Sequence, residues 1–207
     1  MIDARERVRR LLREHTRATL LADEVPFRAM FVIDSFTGSL VTAVPRLVLD
    51  ATDLVMMIPE ESAAALQIMG GLQALAESRA TDRHQAYHGR NADAMHAVLM
   101  AEAGKLGGAI VESHDLLAPN PFAGEEARLC KLCNANPGRV ARVLASGGHT
   151  DAPPMVVVGI DDLGVDVRTR FGIVRLWFSK PALDAEAAVR ELFDLDPGTR
   201  EGGSNSP

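Results

Sequence analysis

Two cysteines have a spacing that suggests redox or metal chemistry. Cys130 and Cys133 form a C-x-x-C sequence within a segment of helical periodicity. A redox pair of this kind needs a thiol pKa lowered by a helix N-terminus or a nearby cation, and a zinc site needs two further ligands. The pair lies late in its predicted helix, and the chain has only 2 cysteines. We therefore interpret both as small, partly buried side chains, and the sequence predicts no metal site.

Two histidines four residues apart are the second candidate. His84 and His88 would present both imidazoles on one face of a helix, which permits metal or haem ligation. The carboxylate of an H-E-x-x-H sequence is missing, so the pattern is weak. We predict instead a solvated helix with a structural Tyr87. His96 stands alone between apolar neighbours and is predicted to pack against them.

The charged clusters show no catalytic constellation, and the catalytic residues stay unknown. The acidic corner at 60–62 is interpreted as a solvated turn, because paired carboxylates matter only when burial or repulsion shifts their pKa values. Arg168, Arg170 and Arg175 alternate with apolar residues. Such positions form either a basic patch for a phosphate, a haem propionate or an acidic partner, or an ordinary solvent-facing sheet. We favour the second interpretation.

Composition limits the class of protein. Of the 207 residues, 47% are hydrophobic, which is enough for a substantial core, and the net charge of -6 argues against nucleic-acid binding. The first residues are charged, and the apolar runs, such as 54–58, are too short to span a membrane. The small number of cysteines is typical of a protein from a reducing compartment. We expect a cytoplasmic protein with no membrane contact.

The elements that position these residues begin with a helix over 2–15 and a set of short strands. Strands are predicted at 18–22, 27–33, 39–44, 53–58, 65–75 and 107–113. The pair Gly70-Gly71 indicates a bulge or bend within its strand. Short strands joined by hairpins predict a small antiparallel barrel. Helices are predicted at 81–87, 91–103, 123–134 and 137–144.

The C-terminal segment predicts a second, smaller arrangement. Strands are predicted at 155–160, 165–170 and 173–178, with a turn at 161–164 and a helix opened by Pro181 and Asp184. The fold class is therefore α+β: an antiparallel split β-barrel with helical insertions, followed by a small α/β domain. The expected domains are 1–120 and 121–196, with a disordered tail at 197–207.

This order of elements resembles the flavin-binding split-barrel family of pyridoxamine 5'-phosphate-oxidase-like proteins. The segment from Glu125 to Leu195 resembles the small C-terminal domain of haem-iron-utilisation proteins, and the likeness extends over most of the chain from about Arg17. The strings that carry it are Val158-Gly159-Ile160-Asp161, Gly164-Val165-Asp166-Val167-Arg168 and Val174-Arg175-Leu176-Trp177-Phe178.

The resemblance implies a homodimer that binds flavin mononucleotide (FMN) at the barrel interface, or a haem-handling protein. An FMN-dependent oxidoreductase would follow from the first. In this family the flavin phosphate is held by Arg or Lys and by Ser or Thr hydroxyls, groups that suit a phosphate dianion. The counterparts that the resemblance implies in this chain are Arg17, Thr19, Arg28, Thr42 and Arg46.

The chain departs from the family pattern at several positions. Flavin-binding members have Gly-x-Pro-x-x-Ser on the second strand, whereas this chain has Glu24 for the glycine and Ala29 for the serine. The segment 43–47 replaces the family's Ser-containing stretch that ends in His-Thr. These departures leave an alternative open: a non-catalytic binding or regulatory module that has lost the flavin site.

Overall fold

The structure is a computed structural model that describes residues 4–59, 65–149 and 154–194. It is an α+β protein, as predicted, and it divides into two compact units, Met1–Pro119 and Asn120–Pro207. The acidic corner at 60–62 and the predicted tail at 197–207 lie outside the described residues. Among the described helices, none has the length and apolar character that crossing a lipid bilayer requires.

The described residues of the first unit form seven strands, three α-helices and one short 3₁₀ turn. The strands are β1 (Arg17–Ala22), β2 (Val25–Ile33), β3 (Leu40–Val44), β4 (Leu54–Ile58), β5 (Leu66–Ala74), β6 (Met95–Leu106) and β7 (Ala109–Glu112). The helices are α1 (Ala4–Glu14), α2 (Arg46–Leu49) and α3 (Arg79–His88), and the 3₁₀ turn is Ser113–Leu116.

Six of these strands close into an antiparallel barrel. The order is β3-β2-β1-β4-β5-β6, and a further pairing of β3 with β6 completes the circle, while β7 extends the sheet beyond β6. Side chains alternate between the two sides of each strand. The inward positions form one apolar core, in which Leu20, Phe31, Met56 and Ile68 are fully buried. The predicted barrel is confirmed.

The strand that closes the barrel is the element that the sequence analysis assigned wrongly. Residues 91–103 were predicted as a helix, because Ala, Met, Leu and Glu are good helix formers. The structure instead places β6 there, paired with β3 at one end and with β5 along its length. Pairing with strands on both sides stabilises the extended conformation more than the weak helix propensity of these residues opposes it. The segment predicted as the last barrel strand is β7, which adds to β6 rather than closing the barrel.

A bulge between β5 and β6 confirms the expectation for the glycine pair. Met69 lies opposite Ala103 and Gly70 opposite Ala101, so that Glu102 is the extra residue. The shift reverses which positions of β6 face inward on either side of the bulge. Gly70 is required here, because a Cβ would overlap the carbonyl oxygen of Met100, whereas a Cβ at Gly71 meets no described atom within 4 Å.

The second unit is a three-stranded antiparallel sheet packed against helices. The strands are β8 (Val156–Ile160), β9 (Gly164–Thr169) and β10 (Gly172–Trp177), and the helices are α4 (Glu126–Asn134), α5 (Pro137–Ser146) and α6 (Ala185–Asp194). The strand order is β10-β9-β8. The predicted elements of this unit are confirmed.

Helix α4 satisfies the outer edge of β8 with side chains. The amide of Asn134 accepts from the N–H of Val157 and donates to its carbonyl, at 2.8 and 2.9 Å. The carboxylate of Glu126 accepts from the N–H of Ile160 at 3.2 Å. An edge strand otherwise presents unpaired backbone groups that invite pairing with another chain. These contacts therefore fix the helix to the sheet and occupy that edge.

The arginines of this unit do not form one basic patch. Arg175 is buried, and its guanidinium donates to Asp161 at 2.5 Å and to Asp166 at 3.0 Å. Asp161 also accepts from the N–H groups of Leu163 and Gly164, which fixes the turn between β8 and β9. The possibility that Arg175 contributes to a phosphate or propionate patch is therefore corrected: its charge is used inside the unit. Without these two carboxylates, the buried guanidinium of Arg175 would be an unpaired charge, which is costly.

We predict that Gly70→Ala lowers the free energy of unfolding by about 2–3 kcal/mol, the upper part of the range for overpacking, because the backbone oxygen of Met100 has little room to move. The matched control is Gly71→Ala, where the change should stay within about 0.5 kcal/mol. Urea unfolding of the two variants and the wild type measures both values. Equal effects at the two glycines would contradict the bulge geometry.

Candidate functional site

The outward face of β1 and β2 brings together three of the five residues that the family resemblance singled out. Ala18 and Leu20 are fully buried in the core, so Arg17 and Thr19, which alternate with them, point outward. In the strand ladder Thr19 lies directly opposite Arg28. Residues directly opposite in an antiparallel pair share a face of the sheet. Arg17, two residues before Thr19 on β1, and Arg28, across from it on β2, are therefore neighbours of Thr19 on the outer side of the wall, where Thr19 is only 5% exposed.

No residue that the structure describes neutralises the charges on this face. Within the described residues neither Arg17 nor Arg28 forms an ion pair, and the hydroxyl of Thr19 makes no hydrogen bond. The nearest outward neighbours in the ladder are Met30, opposite Arg17, and Met57, opposite Thr19. Two exposed guanidinium groups beside a hydroxyl, with uncharged neighbours, suit a bound phosphate dianion. We call Arg17, Thr19 and Arg28 the arginine face.

The other two residues lie elsewhere in the unit. Thr42 is fully buried opposite Phe31, and its hydroxyl donates to the carbonyl of Met30 at 2.9 Å. Arg46 is exposed at the first residue of α2, outside the strand ladder. The arginine face therefore consists of the three strand residues alone.

A second set of residues lies under α3, which begins two residues earlier than predicted. Ser78 caps the helix: its hydroxyl accepts from the N–H of Thr81 at 3.4 Å, and the Thr81 hydroxyl accepts from the N–H of Ser78 at 2.9 Å. This reciprocal capping fixes the rotation of the helix. The buried face then carries Thr81, His84 and Tyr87. The prediction of a solvated helix is therefore wrong for this face.

Three imidazoles meet where α3 crosses the barrel wall. The ring centroid of His84 lies 4.9 Å from that of His88 and 5.0 Å from that of His96. The Nε2 atom of His84 is 3.1 Å from the carbonyl oxygen of Met30, and that of His88 is 3.0 Å from that of Phe31. Because a carbonyl only accepts, both Nε2 atoms carry the proton. We call the three imidazoles the histidine cluster.

His96 is the third member of this cluster, and its place there was not predicted from the sequence. His96 was predicted to pack alone among apolar neighbours, but it lies on β6 opposite Ala43 and against the α3 histidines. The signal was available in the alternation of β6, where His96 is an outward position beside the inward Ala97. It was lost because residues 91–103 were interpreted as a helix.

The cluster is electrically neutral near pH 7. The pKa of His84 is lowered to about 4, mainly because the ring is buried. The hydrogen bond to Met30 raises this pKa, and the neighbouring imidazoles lower it. Burial also lowers the pKa of His88, and Arg17 adds to that effect. Burial lowers the pKa of His96 as well. The Nδ1 atom of His84 is buried without a hydrogen-bond partner.

Metal ligation is not supported by the side-chain positions. Throughout residues 4–59, 65–149 and 154–194, no three His, Cys, Asp or Glu side chains are arranged so that they could hold a metal ion. Cys130 and Cys133 lie on α4 and form no disulfide with one another. Burial raises the pKa of Cys133 to about 11, which is the opposite of what a reactive thiol requires.

Comparison with known proteins shows the fold and no family. No family model matches the chain, and no curated protein matches its sequence. A protein of unknown function from Agrobacterium tumefaciens str. C58, Atu2129, aligns with a TM-score of 0.68 at 18% identity, covering 94% of this chain and 97% of that one. This likeness shows a shared fold over nearly the whole length.

Two more distant structures were also found. A heme binding protein from Mycobacterium smegmatis has a TM-score of 0.43 at 17% identity, covering 97% of this chain and 99% of that one. A pyridoxamine 5'-phosphate oxidase-like protein from Listeria innocua has a TM-score of 0.38 at 13% identity, covering 52% of this chain and 100% of that one.

We predict that Cys133 is inert in the folded protein. A pKa of about 11 in place of 9.0 lowers the thiolate fraction at pH 8 on the order of 100-fold. In the Cys130→Ser variant, alkylation of the remaining thiol by iodoacetamide should therefore be slow in buffer and fast in denaturant. Mass spectrometry follows the reaction. Equal rates in both conditions would show that Cys133 is accessible and reactive.

Proposed function

We propose that the protein is a flavin-binding split barrel, and that the arginine face takes the phosphate of FMN. The observation that supports the proposal is the pair of outward arginines, Arg17 and Arg28, beside Thr19 without a carboxylate partner among the described residues. Unpaired cations on a sheet face favour an anionic ligand. A phosphate monoester provides both the charge and the acceptor oxygens for the hydroxyl and the guanidinium groups.

The departures from the family pattern do not affect these three residues. Ala29, which replaces the family's serine, is buried in the barrel core, so a hydroxyl there would point away from the arginine face. Glu24, which replaces the glycine, has a φ of 66° in the β1–β2 turn, a conformation that glycine adopts easily. The turn therefore keeps the backbone shape that a glycine would provide.

The chain's own residues would bind and orient the flavin, while the flavin itself supplies hydride chemistry when bound. The arginine face consists of two arginines and a threonine, and its neighbours in the ladder are methionines. None of these described residues is a general acid or base. The proposal is therefore binding of FMN, with oxidoreductase activity as its extension. A non-catalytic module is the competing function, and failure to bind flavin would favour it.

Haem is the second candidate ligand, because the resemblance to haem-iron-utilisation proteins implies a haem-handling protein. Titration of the purified protein with haem should give a Soret band if haem is the ligand, and no such band should appear if flavin is the ligand.

The first test is a titration of the purified protein with FMN, followed by flavin fluorescence. Arg17→Gln and Arg28→Gln should each weaken binding roughly 10–100-fold, because each removes a charge-assisted hydrogen bond worth about 1.5–3 kcal/mol. Arg7→Gln, an exposed arginine on α1 without an ion pair among the described residues, should leave the affinity unchanged.

Riboflavin provides the matched ligand control, because it lacks the phosphate. It should bind more weakly than FMN to the wild type, and neither Arg17→Gln nor Arg28→Gln should weaken it further. Equal losses for FMN and riboflavin would place the arginines away from the phosphate. A colourless protein that does not bind added FMN would contradict the proposed function.

We also propose that the protein forms a homodimer through the outer barrel wall, the assembly that the family resemblance implies. Met69 and Met100, on the neighbouring strands β5 and β6, alternate with buried core residues and so point outward, and they are 43% and 51% exposed. Apolar side chains on one outer wall are typical of subunit interfaces. Sedimentation should show a dimer, and Met69→Lys should shift it to monomer; Leu183→Lys, on a 94% exposed residue of the second unit, should not.

A further inference from the structure

We propose that α3 is a proton-sensitive latch, held on the barrel wall by the histidine cluster and released when the cluster takes up protons. The geometry that points to this is the pair of hydrogen bonds from His84 and His88 to consecutive carbonyls of β2, those of Met30 and Phe31. These bonds connect the helix directly to the strand. The proposal concerns the helix alone and does not depend on the proposed ligand.

The latch covers apolar surface of the barrel wall. Val32 and Val41 point outward by strand alternation, yet they are only 2% and 1% exposed. They lie on β2 and β3, the two strands against which α3 packs. Tyr87 of the helix is also buried, and its hydroxyl accepts from Arg83 at 2.7 Å. Release of α3 would therefore expose these valines and the tyrosine to water.

In the part of the chain that the structure describes, no carboxylate is placed to compensate protonation of the cluster. Strand β3 carries no titratable residue, β2 contributes Arg28, β1 contributes Arg17, and β6 contributes His96 at the contact. On α3 itself the charged groups are Arg79, Asp82 and Arg83, of which Asp82 is exposed in the first turn. Among described residues, no carboxylate acts on the pKa of any of the three imidazoles.

Protonation therefore adds positive charge to imidazoles whose ring centroids lie 4.9 and 5.0 Å from that of His84, and the charge of Arg17 already acts on His88. No carboxylate among the described residues offsets these charges. A proton on the Nδ1 atom of His84 would also be buried without an acceptor. The docked helix thus disfavours the charged cluster, whereas a released helix would expose the imidazoles to water. The two states differ in proton affinity, which is the condition for a pH-dependent equilibrium.

The sign and size of the effect follow from the lowered pKa values. A histidine whose pKa is lower in the docked state stabilises docking above its ordinary pKa of 6.5 and loses that contribution as the pH falls toward its docked value. For His84, with a docked pKa of about 4, lowering the pH from 7 to 5 should raise the opening constant on the order of 20-fold. His88 and His96 act in the same direction.

Hydrogen exchange of the full-length protein tests this directly. After correction for intrinsic rates, protection of the amides of α3 should fall at least 20-fold between pH 7 and pH 5, while amides of β4 and of the second unit stay protected. Tyr87 is the only tyrosine of the chain, so ring labelling gives a single NMR signal from the latch. That signal should shift toward its solvent-exposed position over the same pH range.

The decisive variant is the double change His84→Gln and His88→Gln. Glutamine keeps an N–H donor for the carbonyls of Met30 and Phe31 but does not titrate, so protection of α3 should become nearly independent of pH. His114→Gln removes an exposed histidine elsewhere in the unit and should behave like the wild type.

Two results would overturn the latch. One is equal protection of α3 at pH 7 and pH 5 in the wild type, and the other is an unchanged pH dependence in the double variant. If that variant fails to fold, NMR titration of the wild-type imidazoles replaces it. Ordinary or raised pKa values for His84 and His88 would then contradict the proposal, and lowered values coinciding with the Tyr87 shift would support it.

Discussion

The pairing of β6 with both β3 and β5 is the constraint on which the first unit depends. Without it the sheet would be open. Closure makes one face of every strand the inside of the barrel, so the side chains on that face are buried and the alternate side chains lie outside. The sheet bends where Glu102, the extra residue of β6, lies opposite the step between Met69 and Gly70. Once the barrel is closed, Ala18 and Leu20 must lie inside, and Arg17 and Thr19 must therefore lie outside. The arginine face is a consequence of closure.

The parts of the fold that sequence could predict are those determined locally. The hairpin of β1 and β2 and the turn from Asp161 to Gly164 depend on residues close in the chain, and the bulge of β5 was indicated by the adjacent glycines Gly70 and Gly71. Strand β6 was mistaken for a helix because its partners, β3 and β5, are distant in sequence and leave little trace in its composition. Helix propensity is a weak guide where pairing on two sides decides the outcome.

In the candidate site, too, the sequence predicted individual residues but not the contacts that depend on strand pairing. Thr19 and Arg28 were both named, but only the ladder shows that they lie side by side and that Thr42 points into the barrel. His96 joins His84 only because β6 is a strand, so the error in secondary structure concealed the cluster. Arg175 looked like a surface charge because its partners, Asp161 and Asp166, lie on neighbouring segments of the same sheet. Cross-strand partners cannot be assigned until the register is known.

Arg17 connects the arginine face with the histidine cluster. It belongs to the face through its position on β1, and it lowers the pKa of His88 through its charge. An anion bound at Arg17 would offset that charge and so raise the pKa of His88. Because such coupling is reciprocal, a proton on His88 would strengthen anion binding while α3 stays docked. Stronger acid would protonate His84 as well and release the helix. Helix α3 therefore packs beside Arg17, which has no ion-pair partner among the described residues, only while the histidine cluster is neutral.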